Sequence, residues 1–286
     1  MIGYADDITV LAPSVQSMKM MLAEISKFGS QFDVKFNPEK TQLLTFNAGG
    51  ILPKIRFNEK LLQNVVCGNH LGNCIGLNAN DVMIEKTVGK FIGNFNYLMA
   101  TFSECKYEIK YKLFKTFCMD LYGCVLWNLS SKCINRLYTI WRKCMRQLLG
   151  VPYRTHSKFL HRVVNDIPVE CQVHKRFLKF FESVLDSCNP VVKFCGQLAL
   201  SGSNSSVSKN INYIWSIYNI GVPKYEMESY KTVATLLKTY EKRRYGIYDV
   251  NDLLCIHSIK EVLCMRECHD FLSRIECNTL LEFFCT

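Results

Sequence analysis

The residues best suited to do chemistry in this chain stand at its start, in Tyr4-Ala5-Asp6-Asp7. Two adjacent carboxylates beside an apolar run repel one another, and a bound divalent cation relieves that repulsion. Phosphoryl transfer uses such an arrangement. Mg²⁺ held by carboxylates lowers the pKa of an attacking hydroxyl and neutralises a leaving pyrophosphate, often as two ions about 3.5–4 Å apart. An Asp-Asp pair also serves as an ordinary solvated turn or a helix cap, and the pair alone does not choose.

The elements that would position the pair can be read from periodicity. Ile8-Thr9-Val10-Leu11-Ala12 is β-branched and strand-like. Pro13-Ser14 ends it and offers an N-cap. Val15, Met18, Leu22, Ile25 and Phe28 then recur at spacings of 3, 4, 3 and 3, which predicts an amphipathic helix ending near Gly29. Val34-Lys35-Phe36 reads as extended, Asn37-Pro38-Glu39-Lys40 as a turn, and Thr41–Phe46 as a strand. Lys54–Phe57 and Leu61–Val66 predict a hairpin around Asn58-Glu59, and residues 70–76 a further strand or tight turn.

Beyond residue 77 the period is helical. Ile84, Val88, Phe91, Phe95 and Leu98 form one seam, opened by Asn80 as a cap. Further helices are predicted at 106–121, 131–149, 157–165, 169–187, 227–244 and 250–265, and Ser201–Asn210 reads as a linker. In the 131–149 helix, Ile134, Leu137, Trp141, Met145 and Leu148 share a face, and Lys132, Arg136, Lys143 and Arg146 project roughly opposite it.

Tyr4–Asp7, the strand and helix after it, Phe36-Asn37-Pro38-Glu39-Lys40-Thr41, His70-Leu71-Gly72, and the segment from Trp141-Arg142-Lys143 through Leu148-Leu149-Gly150-Val151-Pro152-Tyr153-Arg154-Thr155-His156 occur in one order. Together they resemble the palm and downstream region of the reverse transcriptases of non-LTR (LINE-type) retrotransposons. The resemblance implies an α+β fold: a partial palm of short antiparallel strands plus one helix over 1–77, a helical thumb over 78–150, and a helical C-terminal region over 151–286. It implies Asp6 as a Mg²⁺ ligand and Asp7 as a carboxylate of the same site. Tyr4 would lie at the incoming nucleotide or primer terminus, and Lys40 would approach the triphosphate and protonate the leaving pyrophosphate. His70, Leu71 and Gly72 would support the primer's 3′ end. A surface role for Lys40 and for His70 is the plain alternative.

The sequence also departs from that family's pattern. A third metal-binding carboxylate and a glycine-containing helix under the template precede the hairpin in the family, whereas three residues precede Tyr4 here, leaving the hairpin's first strand nearly missing. Asp33 reads as a turn residue. The chain is therefore expected not to polymerise alone, and the missing N-terminal half of the polymerase is an expected partner. A non-catalytic nucleic-acid-binding module and a degenerate transposon remnant are the alternatives.

Charge bears on the partner. The chain of 286 residues carries a net charge of +10, and residues 131–182 hold eleven Lys or Arg against three acids, a net +8. Lys132, Arg136, Arg142, Lys143, Arg146 and Arg154 are the expected contacts to an RNA template, DNA primer or hybrid duplex, giving affinity without sequence choice. Fifteen cysteines are scattered through helical patterns with no signal-type segment, so most are expected reduced and buried. Cys255, His257, Cys264, Cys268, His269, Cys277 and Cys285 have spacing that disfavours a zinc knuckle. No apolar run approaches a membrane span, and an intracellular chain, nuclear or cytoplasmic and not secreted, is expected.

Overall fold

The computed structural model describes residues 1–46, 52–164 and 166–218. The helices expected at 227–244 and 250–265 and the C-terminal cysteines and histidines lie outside them. The described chain is mixed α and β. It divides into two units, Met1–Val82 and Met83–Thr286.

The first unit opens with β1 (Ile2–Tyr4) and β2 (Asp7–Thr9), paired antiparallel with Tyr4 opposite Asp7. The first strand of this hairpin is therefore present, because three residues suffice to pair with Asp7–Thr9. Helix α1 (Val15–Phe32) follows, capped by Ser14, whose Oγ accepts from the Ser17 N–H at 3.1 Å. The helix does not stop at Gly29. It runs on to Asp33, which closes it in the left-handed region at φ 52°. Gly29 serves a different need: a Cβ there would sit 2.7 Å from the Val34 carbonyl, whose own N–H returns to Gly29 O. The returning chain fits only over a bare backbone.

Strands β3 (Gln42–Leu44), β4 (Arg56–Phe57), β5 (Lys60–Leu61), β6 (Gln63–Val65), β7 (Cys67–His70) and β8 (Asn73–Gly76) complete this unit. Val34–Phe36 forms no strand. The expected hairpin is shorter than its apolar pattern suggests. Only β4 and β5 pair across Asn58-Glu59, both at positive φ as a two-residue turn requires. Residues 63–65 leave to pair in parallel with β3. Three pairs are antiparallel and one parallel, and they do not join into one sheet among the described residues. Leu22 of α1, Leu43, Ile55, Phe57 and Leu62 form their small common core, with Met18, Ile25 and Phe36 against it.

A disulfide joins Cys67 to Cys74 across β7 and β8, with Cα atoms 6.2 Å apart. This pair departs from the expectation of reduced thiols. Hairpin pairing brings two cysteines within bridging distance, which spacing along the chain did not display. None of the other eight described cysteines forms a disulfide.

The second unit is built on the tail of α2 (Ala79–Thr101), α3 (Tyr107–Phe117), a single 3-10 turn at Cys124–Leu126, α4 (Lys132–Leu149), α5 (Ser157–Val163), α6 (Val169–Leu185), α7 (Pro190–Leu200) and α8 (Ser206–Tyr218). Ile84, Val88, Phe91, Phe95 and Leu98 are all buried, and Phe91 and Phe95 set their edges against Phe114 of α3. The α4 stripe of Ile134, Leu137, Trp141, Met145 and Leu148 is buried throughout. Helix α6 is the central element, with Val169, Val173, Phe177, Leu178 and Phe181 fully enclosed.

The expected linker at 201–210 is overturned. Its second half begins α8, where Asn210 is buried and ties two loop groups together. Its Nδ2 donates to Trp127 O at 2.7 Å, and its Oδ1 accepts from Leu129 N–H at 2.9 Å. A polar stretch can be interior when each polar group finds a partner. Helix α3 also stops at Phe117, short of the expected 121. Among the described residues, no helix is long and apolar enough to cross a membrane.

Candidate catalytic hairpin and nucleic-acid face

Tyr4–Asp7 forms the tip of the β1–β2 hairpin. Ala5 and Asp6 are the turn, with Ala5 at φ 50°, a conformation that an L-residue adopts at a cost of roughly 1–2 kcal/mol. Tyr4 is 65% exposed, and Asp6 and Asp7 are both exposed. Water screens the two carboxylates, so their repulsion costs less in the fold than their adjacency along the chain suggests. As hard oxygen donors open to solvent, they fit a divalent cation that keeps several of its waters. Among the described residues, no cluster of three or more His, Cys, Asp or Glu forms a metal-binding group, and no third acid joins the pair.

The β7–β8 turn touches this hairpin at its base, away from the carboxylate tip. Leu71 and Gly72 are its two central residues, at φ 48° and 76°. His70 sits at its start, with ring nitrogens 3.4 and 3.5 Å from Thr9 Oγ1 at the end of β2. These are long contacts by hydrogen-bond standards, but they place the two turn-bearing hairpins side by side.

Lys40 belongs to a different, self-contained turn. Asn37 Oδ1 accepts from the Glu39 and Lys40 N–H groups at 2.9 and 3.4 Å, and the Thr41 hydroxyl donates to Asn37 O at 2.8 Å. The Asn-Pro-Glu-Lys-Thr spacing thus has a local structural cause, an Asx turn. Lys40 is exposed, and among the described residues no hydrogen bond or ion pair links it to Asp6 or Asp7. Its neighbour Glu39 pairs with Lys60, which holds the Glu39 carboxyl below its ordinary pKa.

On α4 and just beyond it, the six expected phosphate-binding cations separate into two sets. Lys132 and Lys143 are exposed on the helix, Arg154 is exposed past its end, and none of the three forms an ion pair with another described residue. Arg136 is exposed too, against Glu85 at 2.5 Å, a surface pair worth little and easily exchanged for another anion. Arg142 turns inward. Its Nη1 donates to Glu170 Oε1 at 2.6 Å, with side chains 25% and 6% exposed, so it bolts α4 to α6. Arg146 is half-buried. Its Nε donates to Thr155 O at 2.9 Å and its Nη2 to Ser157 Oγ at 3.2 Å, and its guanidinium lies 6.0 Å from the centre of the Tyr153 ring. Burial, with Arg142 nearby, draws the Arg146 guanidinium below its ordinary value, and Tyr153 opposes this.

Sequence reasoning counted Glu170 only as one of three acids in a basic stretch. Its signal was present: Val169 and Cys171 flank it, and Val173 and Phe177 share its helix face at helical spacing. A carboxylate on such a face needs a buried cation. Arg176 is likewise structural in part, donating to Met119 O at 3.2 Å. No protein-family model, curated protein or solved structure matches the chain.

Proposed function

We propose that this chain supplies the catalytic-hairpin carboxylates and a phosphate-gripping helical region of an RNA-directed DNA polymerase of the non-LTR retrotransposon kind. By itself it acts as a nucleic-acid-binding protein. The observation that carries the reading is the position of Tyr4–Asp7 at the tip of a hairpin with a two-residue turn, with both carboxylates in water and His70 of the β7–β8 turn against Thr9 at the hairpin's base.

In that role Asp6 and Asp7 would hold Mg²⁺, which supplies activation of the primer hydroxyl and neutralisation of pyrophosphate. Tyr4 presents an exposed ring next to the carboxylates, where a base or sugar can rest. The β7–β8 turn meets the hairpin at its base, through His70 and Thr9. Lys132, Lys143 and Arg154 neutralise backbone phosphates, and Arg136 joins them when a phosphate displaces Glu85. Lys40 would approach the triphosphate with its exposed side chain, carried on the Asn37 turn. With two carboxylates and no third ligand among the described residues, cation affinity is weak, which favours binding over catalysis as the activity of this chain alone.

Two titrations test the reading. An RNA–DNA hybrid should bind with an affinity that falls steeply with salt. Reversing Lys132, Lys143 and Arg154 to Glu should lower the log–log salt slope by about 0.9 for each phosphate no longer neutralised. Mn²⁺, followed by its relaxation of nearby nuclei, should bind the wild type and not the Asp6→Asn/Asp7→Asn double variant, whose hybrid affinity stays unchanged. Hybrid binding without Mn²⁺ binding leaves a non-catalytic module. Binding of neither overturns both readings.

A further inference from the structure

The end of α4 carries a feature that backbone neutralisation does not use. Tyr153 is 76% exposed, among the most exposed large rings of the described residues. It is nevertheless not on a loose loop. Gly150 ends α4 in the left-handed region, Gly150 N–H donates to Gln147 O and Val151 N–H to Arg146 O. Thr155 N–H donates to Pro152 O at 3.0 Å across Tyr153, and Thr155 itself is buried, pinning the turn to the unit's interior. Arg146 closes the arrangement from the helix side through Thr155 O and Ser157 Oγ. The ring is thus held out into water by a fixed turn, with the Arg146 guanidinium at 6.0 Å from its centre.

An exposed aromatic on a rigid support loses little conformational entropy when something stacks on it. The surroundings choose the kind of ligand. Arg154 is exposed beside the ring and Lys143 is exposed on the same end of α4. No acid occurs anywhere between Asp120 and Asp166. The carbonyl end of α4 is unfavourable to an anion, but Gly150 and Val151 N–H groups occupy its last carbonyls, and Arg146 in its last turn offsets the dipole. An exposed ring with the Arg146 guanidinium against it and Arg154 next to it, in a stretch of chain without acids, matches a base joined to phosphate, recognised by stacking and charge together.

We infer that Tyr153, backed by Arg146, is a stacking platform for an unpaired base, so that this face prefers single-stranded nucleic acid or a strand end over a blunt duplex. The inference rests on the nucleic-acid reading above and sharpens it. In a blunt duplex every base except those of the two terminal pairs is covered on both faces by its neighbours along the strand, so phosphates make up nearly all of the available surface.

The experiment compares a fluorescent single-stranded RNA with a blunt RNA–DNA hybrid of equal length, by anisotropy, on the full chain. Stacking needs the ring and not the hydroxyl. Tyr153→Phe should therefore keep the single-strand affinity within twofold, whereas Tyr153→Ala should weaken it about 5- to 150-fold and change hybrid affinity little. Circular dichroism of both variants checks that folding is unchanged, as expected for so exposed a side chain. Equal weakening on the two probes, or none with Tyr153→Ala, would overturn the platform while leaving salt-dependent hybrid binding intact. A wild type that binds neither probe overturns the nucleic-acid reading together with the platform.

Discussion

The two units of this protein solve opposite problems. The first holds its chemistry-bearing residues on strands of two to four residues, over a core of five buried side chains. Its carboxylate hairpin buries nothing: every residue of β1 is exposed, as are Asp7 and Ile8 of β2. The second unit packs α4, α7 and the 3-10 turn against α6, whose Val169, Val173, Phe177, Leu178 and Phe181 are completely buried. Its cations then divide by depth, with Arg142 inside and Lys143 outside, one residue apart. Reactive groups at the surface cost little to expose but are weakly positioned, whereas a closed core positions well and consumes charge to do so.

The sharpest way to break this contrast is amide hydrogen exchange. Amides of β1 and β2 should exchange with little protection, and those of Phe177 and Leu178 in α6 only on unfolding of the second unit. Equal protection would mean that the hairpin is covered in solution. Next in size, Arg142→Ala removes the ion pair between α4 and the buried Glu170. The loss is about 3–5 kcal/mol at the fully buried limit, and less here because a quarter of Arg142 is exposed. Lys143→Ala should stay within about 0.5 kcal/mol in the same denaturant titration. A comparable loss from both would erase the division by depth.

A third test uses pH. Burial pushes the Cys118 thiol up to about 11 and, with Cys118 close by, the Cys144 thiol up to about 12. Both values are raised above the ordinary thiol, so their contribution to stability is fully present below the ordinary thiol pKa of about 8.5. It is lost as pH rises from there through 11 to 12, and the second unit should unfold with alkali over that window. At about pH 8, iodoacetamide should label the exposed Cys188 and Cys195 and spare Cys118 and Cys144. The last test belongs to the first unit. Ser14→Ala removes the α1 cap and should cost about 1 kcal/mol, read as a lower thermal midpoint for that unit.

Legibility followed the same division. The seams of α2 and α4 could be read residue by residue, because 3.6-residue periodicity and burial are one statement made twice. The candidate hairpin was legible as a motif, and its tight turn follows from the two residues between Tyr4 and Asp7. Other features were not. The parallel pairing of β3 with β6 and the interior place of Asn210 each depend on partners distant along the chain.

The sequence by itself determined where helices carry their apolar faces, where the carboxylates stand, and that positive charge gathers between 131 and 182. Local spacing encodes all three. Tertiary structure decided which of those charges face solvent, which acid holds Arg142, and that Lys40 and His70 part company, one in a closed Asx turn and the other beside the hairpin. Like charges on one helix look alike in sequence. Only packing against α6, with the desolvation it imposes, makes one of them a structural bolt and leaves its neighbour open to a ligand.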